Sequence, residues 1–218
     1  MLSFPLGHSG APLDRILVLG AHGDDIEIGC GGTLLRLLEV ARPKAVTWAV
    51  LSGERVRERE ARASAAAILA DVPQREILVM PFRDGFFPAQ VGAIKEWFED
   101  LKARETPDLV FTHHRADQHQ DHRLVAELTW QTFRDHAILE YEIPKYEGDL
   151  GAPNLFVPLD AALCERKVAH LLASFPSQRD RRWFSRDLFL AVLRLRGLES
   201  GAPSGYAEAF HARKLVLA

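Results

Sequence analysis

The sequence predicts an α/β protein, a mostly parallel sheet covered by helices on both faces. Three observations predict it. Short apolar runs alternate with segments of helical spacing or composition, in a β–α–β–α order. Runs such as Ile16-Leu17-Val18-Leu19 read as buried strands. Two of the runs end directly in polar clusters, and in open α/β sheets ligands bind outside the carboxyl ends of the strands.

The elements follow in order. Ile16 to Gly20 is the first strand, and Gly31-Gly32-Thr33 leads into a short helix through Leu34, Leu35, Leu37 and Leu38. Ala45 to Leu51 is the second strand. Arg57 to Leu69 is rich in Ala, Arg and Glu, which favour helix. Ile77 to Met80 is the third strand. Val91, Ile94, Trp97, Phe98 and Leu101 recur at helical spacing and mark a core face. Leu109 to Phe111 is the fourth strand, with a helix from Asp121 to Phe133 behind it. Ile138 to Ile143 is a candidate fifth strand. Gly, Pro and Asn between Tyr146 and Asn154 mark a loop. Leu155 to Val157 returns toward the sheet, Asp160 caps a helix running to Leu172, and another helix covers about Leu188 to Leu195. Gly197 to Gly205 reads as loop, and Leu215 to Leu217 as a last short strand.

With 218 residues and a formal charge of −3, the chain suits one sizeable core, and residues 1–218 are read as one domain. The slight acidity gives no broad footprint for nucleic acid. Arg179-Asp180-Arg181-Arg182 is a local basic cluster, read as a solvated loop. Cys30 and Cys164, the two cysteines, give no disulfide framework and point to a reducing compartment. Cys30 is read as a small buried thiol filling a tight turn at Gly29-Cys30-Gly31-Gly32. Met1 to Pro12 lacks a basic start and a long apolar run, and no apolar stretch approaches the ~20 residues of a membrane helix. A cytoplasmic protein without stable membrane insertion is the expectation.

The chemistry lies in the two clusters. Ala21-His22-Gly23-Asp24-Asp25-Ile26-Glu27 follows the first strand, and Thr112 to His122 follows the fourth. Imidazole nitrogen and carboxylate oxygen are preferred zinc ligands, and a catalytic zinc keeps a fourth position open. His22 and Asp25, three residues apart on a turn, can reach one ion, and His122 supplies a third ligand from the neighbouring strand end. Asp24 is then left free beside the ion to take a proton from water. His119 lies one helical turn before His122, and Asp121 is placed to orient an imidazole. Such parts suit hydrolysis of an amide or ester, with a second donor stabilising the oxyanion. His113 and His114 are read as lining or supporting the site, and Asp117 as a less favoured alternative to Asp25 for the metal. Capping and turn bonding account for either cluster alone; the two together favour the metal reading.

At these residues the chain resembles the PIG-L family of zinc-dependent N-deacetylases, also called LmbE-like proteins. The family pattern Ala-His-Pro-Asp-Asp-x-Glu with a following Gly-Gly stands here as Ala21 to Glu27 with Gly31-Gly32, and His-x-Asp-His as His119 to His122. Fainter matches are Ser52-Gly53-Glu54, Arg59-Glu60-Ala61, Asp84-Gly85 and Ala207-Glu208-Ala209-Phe210. The resemblance implies a Rossmann-like fold, with His22, Asp25 and His122 as zinc ligands and Asp24 as general base. His119 becomes oxyanion stabiliser or general acid, held by Asp121. Other divalent metals fit the same ligand set. The implied substrate is an N-acetylglucosamine-type sugar or its conjugate. Gly23 departs from the family proline, and is expected either to loosen the ligand turn or to allow a backbone angle that proline cannot take.

Substrate contacts are less defined. Arg57, with Arg55 and Arg59, offers a guanidinium for a hydroxyl or phosphate. Tyr146 offers a ring to stack on a sugar, Lys145 a charge for a phosphate, and Glu208 and His211 an approach from the tail. The expected partner is a small-molecule N-acetyl sugar or glycoconjugate, with no nucleic acid and homo-oligomerisation left open. Alternatives are an amidase on a non-sugar or thiol-conjugate amide, a catalytically silent metal-binding protein, and a nucleotide-binding module. The glycines from Gly20 to Gly32 superficially resemble a dinucleotide turn. They do not give G-x-G-x-x-G, and Asp24 and Asp25 would repel a pyrophosphate.

Overall fold

The computed structural model describes residues 13–215. Its strands are β1 (Arg15–Gly20), β2 (Ala45–Val50), β3 (Gln74–Val79), β4 (Leu109–His113), β5 (Ala137–Tyr141), β6 (Leu155–Pro158) and β7 (Ala207–Ala212). Its α-helices are α1 (Asp25–Val40), α2 (Arg55–Ile68), α3 (Val91–Arg104), α4 (Gln120–Thr132), α5 (Ala161–Ser174) and α6 (Arg186–Ser200). The strands form one seven-stranded sheet in the order β3-β2-β1-β4-β5-β7-β6. The first five are parallel, and β7 runs antiparallel to both β5 and β6. Strand order reverses between β1 and β4, which makes the carboxyl ends of those two strands the switch point where open α/β sheets usually bind ligands.

Each strand of the parallel part is covered on both sides. Along β1, Ile16 and Val18 face a core shared with Ile26, Cys30 and Leu34 of α1, Ala61 and Ala65 of α2, and Val168 and Leu171 of α5. Leu17 and Leu19 face the opposite core, with Ile94, Phe98 and Leu101 of α3 and Val125 and Leu128 of α4. The period of two along one strand therefore feeds two separate cores, and the expected α/β fold with helices on both faces is what the chain adopts.

Several boundaries differ from the sequence reading. Helix α1 begins at Asp25, well before Gly31, and runs through the glycines. Cys30 is thus buried inside a helix, with its thiol toward Ile26 O at 3.3 Å, and no tight turn exists there. Tertiary packing overrides propensity. A Cβ on Gly29 would sit 2.1 Å from Tyr141 Cδ2, and one on Gly32 would sit 2.5 Å from Leu159 Cδ1. Glycine lets α1 lie against β5 and the α5 side of the sheet. Strand β3 starts at Gln74, earlier than read, because it is the sheet edge and tolerates exposed Gln74 and Arg75. Helix α6 continues to Ser200, into the segment read as loop, and stops at Gly201 in a left-handed conformation (φ 64°). The closing strand is Ala207–Ala212; Leu215 lies outside any strand, and residues 216–217 lie outside the described residues. So does the Met1 to Pro12 segment read as lacking a leader. Arg179, Arg181 and Arg182 are exposed in a turn. No helix among the described residues is long and apolar enough to cross a membrane.

Candidate metal centre

The turn leaving β1 is pinned from two sides. Ala21 N lies 2.9 Å from His113 Nε2 at the end of β4, and Ala21 O accepts from Ser52 N (2.9 Å) and Ser52 Oγ (2.8 Å) after β2. The following residues turn into α1, with Asp25 N directed at His22 O (3.4 Å) and Asp25 Oδ2 accepting from His22 N (2.7 Å). On the neighbouring strand, the chain leaves β4 through a short loop and enters α4 at His119, whose Nδ1 accepts from Asp121 N at 3.3 Å as the helix cap.

These two turns bring His22, Asp25 and His122 together. His22 Nδ1 lies 3.0 Å from His122 Nε2 and 3.3 Å from Asp25 Oδ2, and His122 Nε2 lies 3.5 Å from Asp25 Oδ2. A tetrahedral site with metal–ligand distances of ~2.0–2.1 Å has edges of about 3.3–3.4 Å. The three donor atoms match such a face, so the residues present fit a zinc-sized cation.

Carboxylates occupy the outer sides of both rings. His122 Nδ1 faces Asp117 Oδ2 at 3.0 Å, and His22 Nε2 faces Asp84 Oδ1 at 3.1 Å and Asp121 Oδ2 at 3.3 Å. This is the usual way a ligating imidazole is held in one tautomer and orientation. The Asp121 carboxylate therefore supports His22, while its other contacts are Phe87 N on Oδ1 (3.1 Å) and Gly85 N on Oδ2 (2.6 Å). Toward His119 it offers only its backbone N–H, so the side-chain clamp on His119 expected from the resemblance is not what the structure forms. Asp117, ranked in the sequence as a spare ligand, is the support of His122. His113 stacks on His122 (centroids 4.0 Å apart) and sits 3.1 Å from Asp25 Oδ2, behind the ligand set. His114 is turned elsewhere, paired to Glu140 at 2.8 Å and stacked on His211 at 3.7 Å.

The electrostatics fit a cation. Burial opposes a charge on His22, but Asp25, Asp121 and Asp84 outweigh it and raise its pKa well above the ordinary value. The position thus calls for positive charge. Burial would raise the Asp25 carboxyl, yet His122, His113 and His22 hold it well below the carboxylate range. Burial, with His113 nearby, brings His122 down to about 3, leaving the neutral imidazole that metals bind.

Asp24 lies beside this set without joining it. Its Oδ1 accepts from Arg57 Nη2 at 2.5 Å, and its Oδ2 is buried with no hydrogen-bond partner among the described residues. Burial raises its pKa, against the opposing pull of Arg57 and with help from Asp25. His119 is half-buried, its ring 5.0 Å from that of His22 and 4.5 Å from that of His122. Burial and the His22 charge lower its pKa.

The remaining sequence candidates divide. Arg57 reaches the cluster through Asp24. Tyr146 is 75% exposed, so its ring is open to a ligand. Lys145 is engaged by Asp117 (2.9 Å) and Asp149 (2.7 Å), which removes it as a free phosphate contact. Glu208 is not brought to the cluster. Its carboxylate accepts from Gly32 N (2.8 Å), Thr33 N (2.6 Å) and Lys167 Nζ (2.6 Å), so it anchors α1 to β7. His211 faces His114 and Glu142. The support role of Asp84 was missed, although the Asp84-Gly85 match after the third strand was the available signal.

Gly23 has no positive φ, and an added Cβ would meet only ordinary contacts, 3.4 Å from Ala61 Cβ and 3.5 Å from Arg57 O. A left-handed backbone angle is therefore not what the glycine supplies, which leaves chain freedom in the metal-free turn as the account to test. Gly23→Pro is expected to tighten zinc binding severalfold, because substitutions of this kind reduce the entropy lost on ordering by about 0.4–1 kcal/mol. Chelator competition reads the change, and equal or weaker affinity in the proline variant would remove the entropic account.

A Rossmann-like sheet with a His/Asp centre at its switch point is the class that fold and site define. Residues 17–133, more than half of the chain, match the PIG-L family model, described as GlcNAc-PI de-N-acetylase. The chain belongs to the PIG-L family, a family of hydrolytic deacetylases. It is 31% identical over 139 residues to the uncharacterized deacetylase YaiS of Escherichia coli (strain K12), covering 59% of this chain and 74% of that protein. Its fold is similar to that of the conserved protein TT1542 from Thermus thermophilus, with TM-score 0.71 and 24% identity over 93% of this chain and 96% of the other. It is also similar to N,N'-diacetylchitobiose deacetylase from Pyrococcus horikoshii, with TM-score 0.67 and 19% identity over 92% of this chain and 84% of that one. At these identities the two solved structures establish the fold alone.

Proposed function

We propose that this chain is a zinc-dependent N-deacetylase, a single catalytic domain that removes the acetyl group from an N-acetylated amino sugar or its conjugate. The observation that carries the reading is the triangle of His22 Nδ1, Asp25 Oδ2 and His122 Nε2, with edges of 3.0, 3.3 and 3.5 Å, beside the unpartnered Asp24 Oδ2. Membership in a family described as a de-N-acetylase supports the chemistry, and the diacetylchitobiose deacetylase of similar fold supports the sugar.

His22, Asp25 and His122 would hold the ion, and a divalent cation there supplies Lewis acidity that polarises the amide carbonyl and acidifies water. Asp24 takes the proton of the attacking water at Oδ2, while Arg57 fixes Oδ1 and so the direction of the free oxygen. A carboxyl raised by burial is a stronger base than an exposed one. His119 Nδ1 accepts the cap bond, so the hydrogen of the neutral ring is on Nε2. That N–H stabilises the tetrahedral oxyanion, and the proton that Asp24 took from water passes to the departing amine. Asp117, Asp84 and Asp121 hold the two imidazoles in place. Tyr146 offers its exposed ring to the sugar face, and Arg57 has guanidinium donors left for a sugar hydroxyl.

Protein loaded with one equivalent of zinc is expected to release acetate from N-acetylglucosamine, its oligomers or its conjugates. Treatment with EDTA should stop the release and added zinc should restore it. A zinc-loaded protein that frees no acetate from these compounds, yet hydrolyses simple N-acyl amides, would replace the sugar reading with a general amidase.

A further inference from the structure

We propose that Lys145 is a positioning residue that locks the loop after β5 onto the carboxylate supporting His122, so that cation binding and the order of that loop are linked. The inference rests on the metal reading above. It does not depend on which substrate is cleaved.

Asp117 is 2% exposed and its carboxylate is surrounded by donors. Oδ1 accepts from His119 N at 2.8 Å; Oδ2 faces His122 Nδ1 at 3.0 Å and Lys145 Nζ at 2.9 Å. Lys145 and the metal ligand thus meet at a single oxygen atom. Lys145 also reaches Asp149 at 2.7 Å and Ile143 O at 3.3 Å, and Asp149 Oδ2 accepts from Gln118 N at 2.7 Å. The contacts close a ring through Asp117, Lys145, Asp149 and Gln118. That ring joins the loop that enters α4 to the loop that follows β5. The lysine side chain is only 11% exposed, and two carboxylates compensate its charge.

Before Lys145 the chain is held by Ile143, buried in the core, and beyond the tip of the loop Gly151 N donates to Glu142 and Arg196 donates to Gly151 O. Tyr146 to Gly148 lie between, in the stretch whose near anchor is Lys145. Orienting His122 for a cation also fixes Asp117, and a fixed Asp117 is the seat for Lys145. A cation on His122 makes its Nδ1–H a stronger donor to Asp117. By linkage, whatever the cation contributes to the order of the loop, the loop returns to cation affinity.

The test uses the whole chain as wild type, Lys145→Met, which keeps the length of the stem, and Lys145→Arg, which keeps the charge. Zinc affinity is read by competition with a chelating dye, and loop order by hydrogen exchange of peptides covering residues 143–151, with and without zinc. In wild type, zinc should slow exchange in those peptides. In Lys145→Met the loop should exchange fast at both metal levels, with zinc bound about 10-fold more weakly, the low end for an outer partner of a metal-bound histidine. Lys145→Arg should recover the response to zinc. Equal slowing by zinc in wild type and Lys145→Met would overturn the proposal, as would a wild-type loop that ignores zinc binding. A wild type that takes up no zinc would overturn the metal reading, and this inference with it.

Discussion

Asparagine at Asp24 is expected to cut turnover by roughly 10²–10⁴-fold, the usual contribution of a general base, while metal content stays at the wild-type level. The side chain is isosteric and its Oδ1 can still accept from Arg57, so the Arg57 contact at 2.5 Å survives. Only the free oxygen changes, from a proton acceptor to an amide nitrogen. Asp24 stands at the N-cap of α1 but makes no side-chain cap bond, so the helix loses no capping interaction. Acetate-release kinetics and elemental analysis on the same preparation check both halves of the expectation. Turnover within about 10-fold of wild type would remove Asp24 from the role. Loss of metal together with activity would instead make it part of the ligand set.

Alanine at His122 is the second large effect. It removes one of the three proposed donor atoms, and zinc should fall from about one per chain to near zero after purification without added metal. His122 is 3% exposed, but its outer partner Asp117 keeps Lys145 and His119 N, so the carboxylate is not stranded. The fold should therefore survive. A ligand at about 100 times its Kd stabilises the native state by about 2.7 kcal/mol. For a domain of this size that is roughly 5–10 °C in Tm. Wild type should gain that rise on titration with zinc, and His122→Ala should not. An equal rise in both would place the metal elsewhere.

The cluster proposed to hold the metal was legible in the sequence because its spacing is local. His22 and Asp25 share one turn, His119 and His122 one helix start, and both clusters follow apolar runs that read as strands. The supporting carboxylates were not legible to the same degree. Asp117 and Asp121 lie on the same short stretch as His122, and spacing cannot say which of them backs which ring. That depends on the β3 loop delivering Asp84, Gly85 and Phe87 to the far side of His22. The start of α1 was hidden because Gly29, Gly31 and Gly32 read as a turn, whereas Gly29 and Gly32 are what close approach to Tyr141 and Leu159 requires. Strand β7 was hidden because Ala-Glu-Ala-Phe-His-Ala has no β-branched residue. Its place is set by neighbours on both sides and by Glu208 reaching the α1 amides. For the same reason Glu208 matched the family pattern without belonging to the centre.

The position of β7 also bears on how the molecule is made. It is the last of the described strands to be synthesised, yet it lies inside the sheet, between β5 and β6. While the chain emerges, β1 to β5 can assemble in turn, but β6 has no partner until β7 arrives. Its backbone donors and acceptors stay open through the synthesis of α5 and α6, as does the free edge of β5. Unpaired edges of this kind invite pairing with other nascent chains. Strand β7 thus acts as a clasp that closes the sheet, and the interval before it docks leaves the young protein exposed to aggregation.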